Sequence, residues 1–313
     1  MQGTLFKYIL YFIQSLILLL LTPLFIGILK RLKAFVRGYT GFSIFQPYYN
    51  IAKLMAKGRI ISKSSSPVTL IGPFVCLVAA LTSAFMVPVF YTAEDNLIGN
   101  LFVIIFILAI IKLFNALLGL DCASTFGGMG SSREMFISMF AEPIVFIIIA
   151  FLYMETKKLN IFEITAINSG VFKFSVGHIL AAMAFFAVLL AENARMPVDN
   201  PETHLELTMI HEAMVLDLSG SDLACIELSS YIKLMVFMTI LINCFFPYGV
   251  GTAITVTSLI IGIIVYFAKM LICITVVAII ETTMAKFRLF RIPEILAAAL
   301  SLSIAAIAIN YFA

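Results

Sequence analysis

The sequence predicts an all-α integral membrane protein, with eight transmembrane helices and short interfacial and loop helices in one domain over residues 1–313. Three observations carry this. Hydrophobic residues make up 62% of the chain, and mean hydropathy is +1.11. Charged residues are 12%, against the roughly 25% a soluble surface uses. Apolar runs near the roughly 20 residues needed to cross a bilayer recur from end to end. No nucleic-acid partner is expected, and the formal charge of +3 matters less than where the basic residues sit.

The expected spans are 5–29, 68–90, 97–120, 135–154, 175–192, 227–247, 253–281 and 292–312. The first is not read as a cleaved signal, since its apolar run is too long and lacks a small-x-small cleavage site. No span repeats another, which argues against duplicated transporter halves. Trp is absent, so Tyr and Phe must anchor the interfaces.

Orientation follows from Lys and Arg. The first connection holds Lys30, Arg31, Lys33, Arg37, Lys53, Lys57, Arg59 and Lys63 with no acid, and the seventh holds Lys286, Arg288 and Arg291. The second has Glu94 and Asp95 and no base, and the sixth is uncharged. Odd connections are therefore expected in the cytoplasm, with both termini outside. Within the first connection, Asn50, Lys53 and Lys57 share one helical face after Gln46-Pro47, and Tyr48, Ile51, Ala52 and Met55 lie on another. This is the pattern of an interfacial amphipathic helix.

The fifth connection stands apart. Residues 191–222 hold two of the three histidines and seven of the 17 carboxylates. Such a segment must face water, a partner or an internal cavity, because lipid cannot satisfy it. Residues 191–226 are the expected docking surface for a partner subunit. Asn200 suits an N-cap, Pro201 the first helical position and Glu202 the positive helix end. A helix from there would align His204, Thr208 and His211, with Glu202 and Glu206 on another face. The HExxH spacing is missing and the five Cys show no ligand spacing, so no metal is expected in this chain. Gly127-Gly128-Met129-Gly130 reads as a short flexible turn before the fourth span.

Ionisable groups inside spans cost about 2.5–3.5 kcal/mol each on insertion scales, which makes them functional candidates. Lys112, Glu142 and Lys269 are three. Lys112, Asn115 and Gly119 share a face that would line an interior seam. Glu142 is expected roughly 13 Å inside the cytoplasmic boundary, and Lys269 roughly 18 Å from Glu281. Asp121, Glu134, Glu192, Glu281 and Glu294 crowd the same half. Buried, closely spaced acids favour the neutral form, so a proton can hop between them near neutral pH. Glu142, Glu192, Glu202, Glu206, Lys112, Asp121, Glu134, Lys269 and Glu281 are the candidate ion path. Arg195, Asp199, His204, His211 and Glu212 are the candidate docking residues.

The run Ala191-Glu192-Asn193-Ala194-Arg195-Met196-Pro197-Val198-Asp199-Asn200-Pro201-Glu202-Thr203-His204-Leu205-Glu206-Leu207-Thr208-Met209 resembles the membrane anchor subunit of energy-converting (group 4) nickel–iron hydrogenases. So does Ile210-His211-Glu212-Ala213-Met214-Val215-Leu216, and formate hydrogenlyase carries a subunit of this kind. The family is similar to the eight-helix heel subunit of respiratory complex I, whose loop Glu192, Arg195, Pro197, Asp199, Pro201, Glu202, Glu206 and Leu207 match. His204 departs from that loop, standing where complex I has a glutamate. Arg133-Glu134 and Glu142-Pro143 also resemble the hydrogenase-side fourth span.

The resemblance implies a subunit without a redox centre in the cytoplasmic membrane. It would anchor hydrogenase-like large and small subunits that carry nickel–iron and iron–sulfur centres, beside a ferredoxin-like subunit and antiporter-like membrane subunits. Its acids would link electron transfer in that module to proton or sodium movement. Two other readings stay open: the quinone-site subunit of a complex I, and a stand-alone ion transporter.

Overall fold

The computed structural model describes residues 2–62, 65–92, 98–169, 175–199, 209–251 and 255–312. Among these the chain is helical, with two isolated bridge pairs, Tyr91 with Gly251 and Asn100 with Asn160, and no strands. The elements are α1 Gln2–Val36, α2 Gln46–Met55, α3 Pro67–Phe85, α4 Leu101–Asp121, α5 Thr125–Thr156, α6 Ile161–Asn168, α7 Val176–Glu192, α8 His211–Val215, α9 Gly220–Phe245, α10 Val256–Thr283 and α11 Ile292–Phe312. A 3-10 turn, Leu289–Arg291, leads into α11.

Local chemistry starts these helices where the sequence supplies a cap. Ser66, Asn100, Ser124, Ser175 and Thr255 each accept a backbone N–H from the first turn of α3, α4, α5, α7 and α10. Each thereby satisfies a donor that hydrocarbon would leave orphaned. Among the described residues, seven helices are long and apolar enough to cross a membrane. The expected span 175–192 is present as α7, but its 17 residues reach only about 25 Å. It stops because the chain turns at Asn193, whose Nδ2 folds back on the Leu189 carbonyl at 2.8 Å.

Three spans run further than hydropathy suggests. α1 continues to Val36, α5 begins at Thr125, and α9 begins at Gly220. Their added turns are rich in charge and hydroxyls, which end an apolar window without ending the backbone ladder. The expected turn at Gly127–Gly130 is therefore helix. Its glycines allow close packing: a Cβ on Gly127 would sit 2.3 Å from the Gly119 carbonyl oxygen of α4, and one on Gly130 2.8 Å from the Ile210 carbonyl. The expected helix after Gln46-Pro47 is α2. Its Tyr48 hydroxyl donates to the Leu20 carbonyl of α1.

α9 is the central helix, buried continuously from Ile232 to Phe245. α3 packs along it, with α4 beside α3 and α5 beside α4; α11 lies against α7 and α5, and α10 against α1. At the end away from the 191–222 loop, neutral amides tie side chain to backbone. Gln14 Oε1 accepts three successive N–H groups, from Val89, Phe90 and Tyr91, at 2.8, 3.0 and 3.1 Å. Asn243 Nδ2 donates to the Pro88 carbonyl at 2.5 Å.

Gly127→Ala should lower stability by about 1–3 kcal/mol through overpacking against backbone. Gly128→Ala, whose Cβ would meet nothing nearer than 4.0 Å, should be neutral or stabilising by about 0.5–1 kcal/mol. Thermal unfolding of both variants in mild detergent tests the pair, and equal melting temperatures would contradict the packing account.

Candidate functional site

The loop-side end gathers charge from six helices. Lys112 of α4 is buried, and its Nζ donates to Glu192 Oε1 of α7 at 2.8 Å, to Glu142 Oε1 of α5 at 3.0 Å and to Ser138 Oγ at 3.2 Å. Lys233 of α9 is also buried. It donates to the Glu192 carbonyl at 2.6 Å and lies 3.6 Å from Glu192 Oε2. Glu192 thus ends its helix between two ammonium groups, one for each carboxylate oxygen. Glu134, Ser138 and Glu142 follow at i, i+4 and i+8 on α5, a ladder about 12 Å long.

These groups border an internal cavity of about 200 Å³. Five cations (Lys30, Lys33, Lys112, Arg195, Lys233) and five carboxylates (Glu134, Glu192, Asp199, Glu212, Glu227) line it, so the wall balances formally before any ligand or water is considered. Glu134 is buried and lines the cavity. Among the described residues it makes no hydrogen bond.

The segment after α7 is bound into the same network. Glu281 of α10 receives Lys33 of α1 at 2.7 Å and Arg195 at 3.3 Å. Asp199 is buried; Lys286 reaches its Oδ1 at 2.5 Å, and its Oδ2 accepts the backbone N–H groups of Ile210 and His211 at 3.1 and 3.2 Å. Arg133 of α5 donates to the Met209 carbonyl at 3.1 Å. His211 opens α8 on the cavity wall. Burial, with Lys233 and Arg195 nearby, pushes its imidazole down from 6.5 to about 4 against the opposing pull of Asp199, so it is neutral at physiological pH.

The structure therefore brings Lys112, Glu142 and Glu192 into direct contact and puts Glu134, Arg195, Asp199, His211 and Glu212 on the same cavity. Glu281 joins through Arg195. Two candidates lie elsewhere. Asp121, at the end of α4, accepts from Ser66 N, Thr69 N and Thr69 Oγ1, and so fastens the start of α3. Lys269 donates to the Phe246 and Tyr248 carbonyls beyond the far end of α9. Glu202, Glu206 and His204 lie outside the described residues. Among the described residues no group of three His, Cys, Asp or Glu could hold a metal ion.

Lys233, Lys33, Glu227 and Tyr231 were missed by sequence reasoning. The signal for Lys233 was present, because it is a lone base in the run Tyr231-Ile232-Lys233-Leu234-Met235-Val236-Phe237, inside an expected span. The insertion-cost argument that singles out Lys112 applies to it equally.

A family model described as NADH dehydrogenase matches residues 8–311. The chain belongs to that family. Within this NADH dehydrogenase family it is 29% identical over 283 residues to hydrogenase-4 component C of Escherichia coli (strain K12), covering 90% of this chain and 89% of the relative. It is 27% identical over 286 residues to formate hydrogenlyase subunit 4 of the same organism, covering 90% and 92%. Its fold matches a chain of the membrane-bound sulfane sulfur reductase, an archaeal respiratory membrane complex, with a TM-score of 0.81 at 14% identity over 96% of this chain and 99% of that one. The resemblance to hydrogenase and complex I membrane subunits is thus found, and the protein is a multi-pass helical membrane protein.

The depressed His211 value fixes the sign of a pH effect. Between about 6.5 and about 4 the unfolded chain binds the proton the folded one refuses. The contribution is complete above the unfolded value and is lost as pH falls through that window. Replacing His211 by Gln should therefore flatten the fall in melting temperature from pH 7 to about 4, and an unchanged slope would place the imidazole in water.

Proposed function

We propose that this chain is the membrane anchor and coupling subunit of a hydrogenase-type respiratory complex in the cytoplasmic membrane, linking electron transfer in a docked soluble module to proton or sodium movement. The single observation that carries the reading is Lys112 bridging Glu192, on a closed charged cavity, to Glu142. The Glu142 side chain is 42% exposed although it lies well inside a long apolar helix. A carboxylate bared at that depth needs a polar neighbour or water, since hydrocarbon supplies neither. An adjoining membrane subunit of antiporter-like character would meet that need.

In this reading Glu134, Glu192 and Glu142 carry the ion, Lys112 and Lys233 hold the line electrically balanced while a proton or cation moves, and Glu281 senses the loop through Arg195. Asp121 serves the bundle and not the path. Arg195, Asp199, His204, His211 and Glu212, with Glu202 and Glu206, form the docking and signalling loop. The basic first and seventh connections support a cytoplasmic loop with both termini outside. The relatives are named as parts of hydrogenase-4 and formate hydrogenlyase, which supports a subunit over a stand-alone transporter. Large and small hydrogenase-like subunits and a ferredoxin-like subunit would then carry the nickel–iron and iron–sulfur centres.

Two substitutions test the reading in the intact complex. Glu142→Gln should lower ion movement per electron pair by roughly tenfold or more while substrate turnover with an artificial electron donor persists. Full pumping by this variant would remove Glu142 from the path. His204→Ala should weaken retention of the soluble module during purification, and a complex of undiminished stability would end the docking role. The family description favours one second reading, a quinone-binding subunit; turnover that depends on added quinone and stops with a quinone-site inhibitor would decide for it.

A further inference from the structure

A second cavity, of about 700 Å³, lies away from the charged one, between α7 and α10 over Leu241 and Phe245 of α9. It runs the length of the bundle, from Ile179 and Tyr248 at one end to Val198, Met284 and Phe287 at the other. Its floor is buried, as Leu190, Leu241 and Phe245 show, while Ile179, Met183 and Met284 on its rim are exposed. The groove is open sideways to the bilayer. His178, the ionisable group on its wall, is committed through Nδ1 to Glu155 and through Nε2 to the Phe245 carbonyl, both at 3.1 Å. The wall therefore selects for hydrocarbon.

Its charged mouth points to the occupant. At the loop-side mouth the chain passes from Met284 and Phe287 on the wall to Arg288 and Arg291, then back to Ile295 on the wall. Arg291 stands one helical turn beyond Ile295. Both arginines are exposed, and neither enters an ion pair among the described residues; Glu294 offsets part of their charge. Lys286, the other nearby base, is held by Asp199.

We propose that this groove binds one anionic phospholipid, with an acyl chain lying along α9 and the headgroup phosphate on Arg288 and Arg291. The bound chain packs against Pro197 and Val198, whose neighbours Arg195 and Asp199 carry the contacts to Glu281 and Lys286. The Pro197 carbonyl also accepts the Phe287 N–H at 2.9 Å. The lipid thereby braces the segment that closes the charged cavity. This inference is independent of the ion path, since it concerns retention of a lipid and not pumping.

The test equilibrates the intact complex in mild detergent with vesicles of equal phosphatidylglycerol and phosphatidylcholine carrying distinguishable acyl chains, then counts retained lipid by native mass spectrometry. About one phosphatidylglycerol per copy of this chain should be retained in preference to phosphatidylcholine. The double substitution R288Q/R291Q should lower that preference roughly tenfold or more. Ala182→Trp, which fills the wall and leaves both arginines in place, should lower retention of both lipids. Equal retention in all three proteins, or no preference for the anionic lipid in the parent, overturns the proposal. So does a cysteine at the wall (Ala187→Cys) that crosslinks to a partner chain and not to a thiol-reactive lipid.

Discussion

Glu192 sits at the end of a helix with an ammonium group on either side, and the loop-side half of the bundle depends on that arrangement. Its three partners come from different helices: Lys112 from α4, Lys233 from α9 and, through Lys112, Glu142 from α5. Removing one member of a buried set leaves its neighbours uncompensated, at a cost of about 3–5 kcal/mol. One carboxylate therefore fixes the relative positions of four helices. The opposite end mixes neutral Gln14 and Asn243 contacts to backbone with the His178–Glu155 pair. Neutral ties hold their geometry regardless of protonation; the ionic ones hold it only while their charges persist.

The loop is coupled to the Glu192 end through carboxylates rather than through packing alone. Glu281 draws together Lys33 and Arg195, and Asp199 joins Lys286 to the start of α8. Between residues 192 and 199 the chain is held by Lys233 at one end and Lys286 at the other. The neutral His211 imidazole lies beside both systems. A displacement of the loop by a docked partner would have to break or trade ion pairs that border the cavity, which makes docking and cavity electrostatics one equilibrium.

Much of this was legible in the sequence because hydrocarbon imposes simple rules. Length and hydropathy locate the spans, and a charge inside one stands out, as Lys112 and Glu142 do. Span ends were less legible: α5 and α9 continue through Ser132-Arg133-Glu134 and Asp222-Leu223, where polar side chains line the internal cavity or are tied to neighbours, as Asp222 is to Arg59 at 2.5 Å. Hydropathy cannot tell such turns from loops. Lys269 illustrates the opposite limit, because its depth depends on where the Phe246–Tyr248 turn dips toward it, a tertiary fact. Asp121 likewise reads as one more acid near the others until the start of α3 is seen resting on it. Pairing lay beyond the pattern altogether: nothing in one dimension says that residue 233 meets residue 192.

Residues 195–199 form the partition between two unlike environments. Arg195 and Asp199 line the charged cavity, while Pro197 and Val198 line the apolar groove. The side chains divide because the segment turns at Met196–Val198, with the Val198 and Asp199 N–H groups both donating to the Arg195 carbonyl at 2.9 and 3.2 Å. The charged face is adjustable, since its pairs can be exchanged one for another at modest cost so long as every charge keeps a partner. The apolar face offers only area, worth about 25 cal/mol for each Å² kept from water, and it loses that area in proportion to any outward movement. A wall of this kind resists displacement smoothly on one side and in discrete steps on the other.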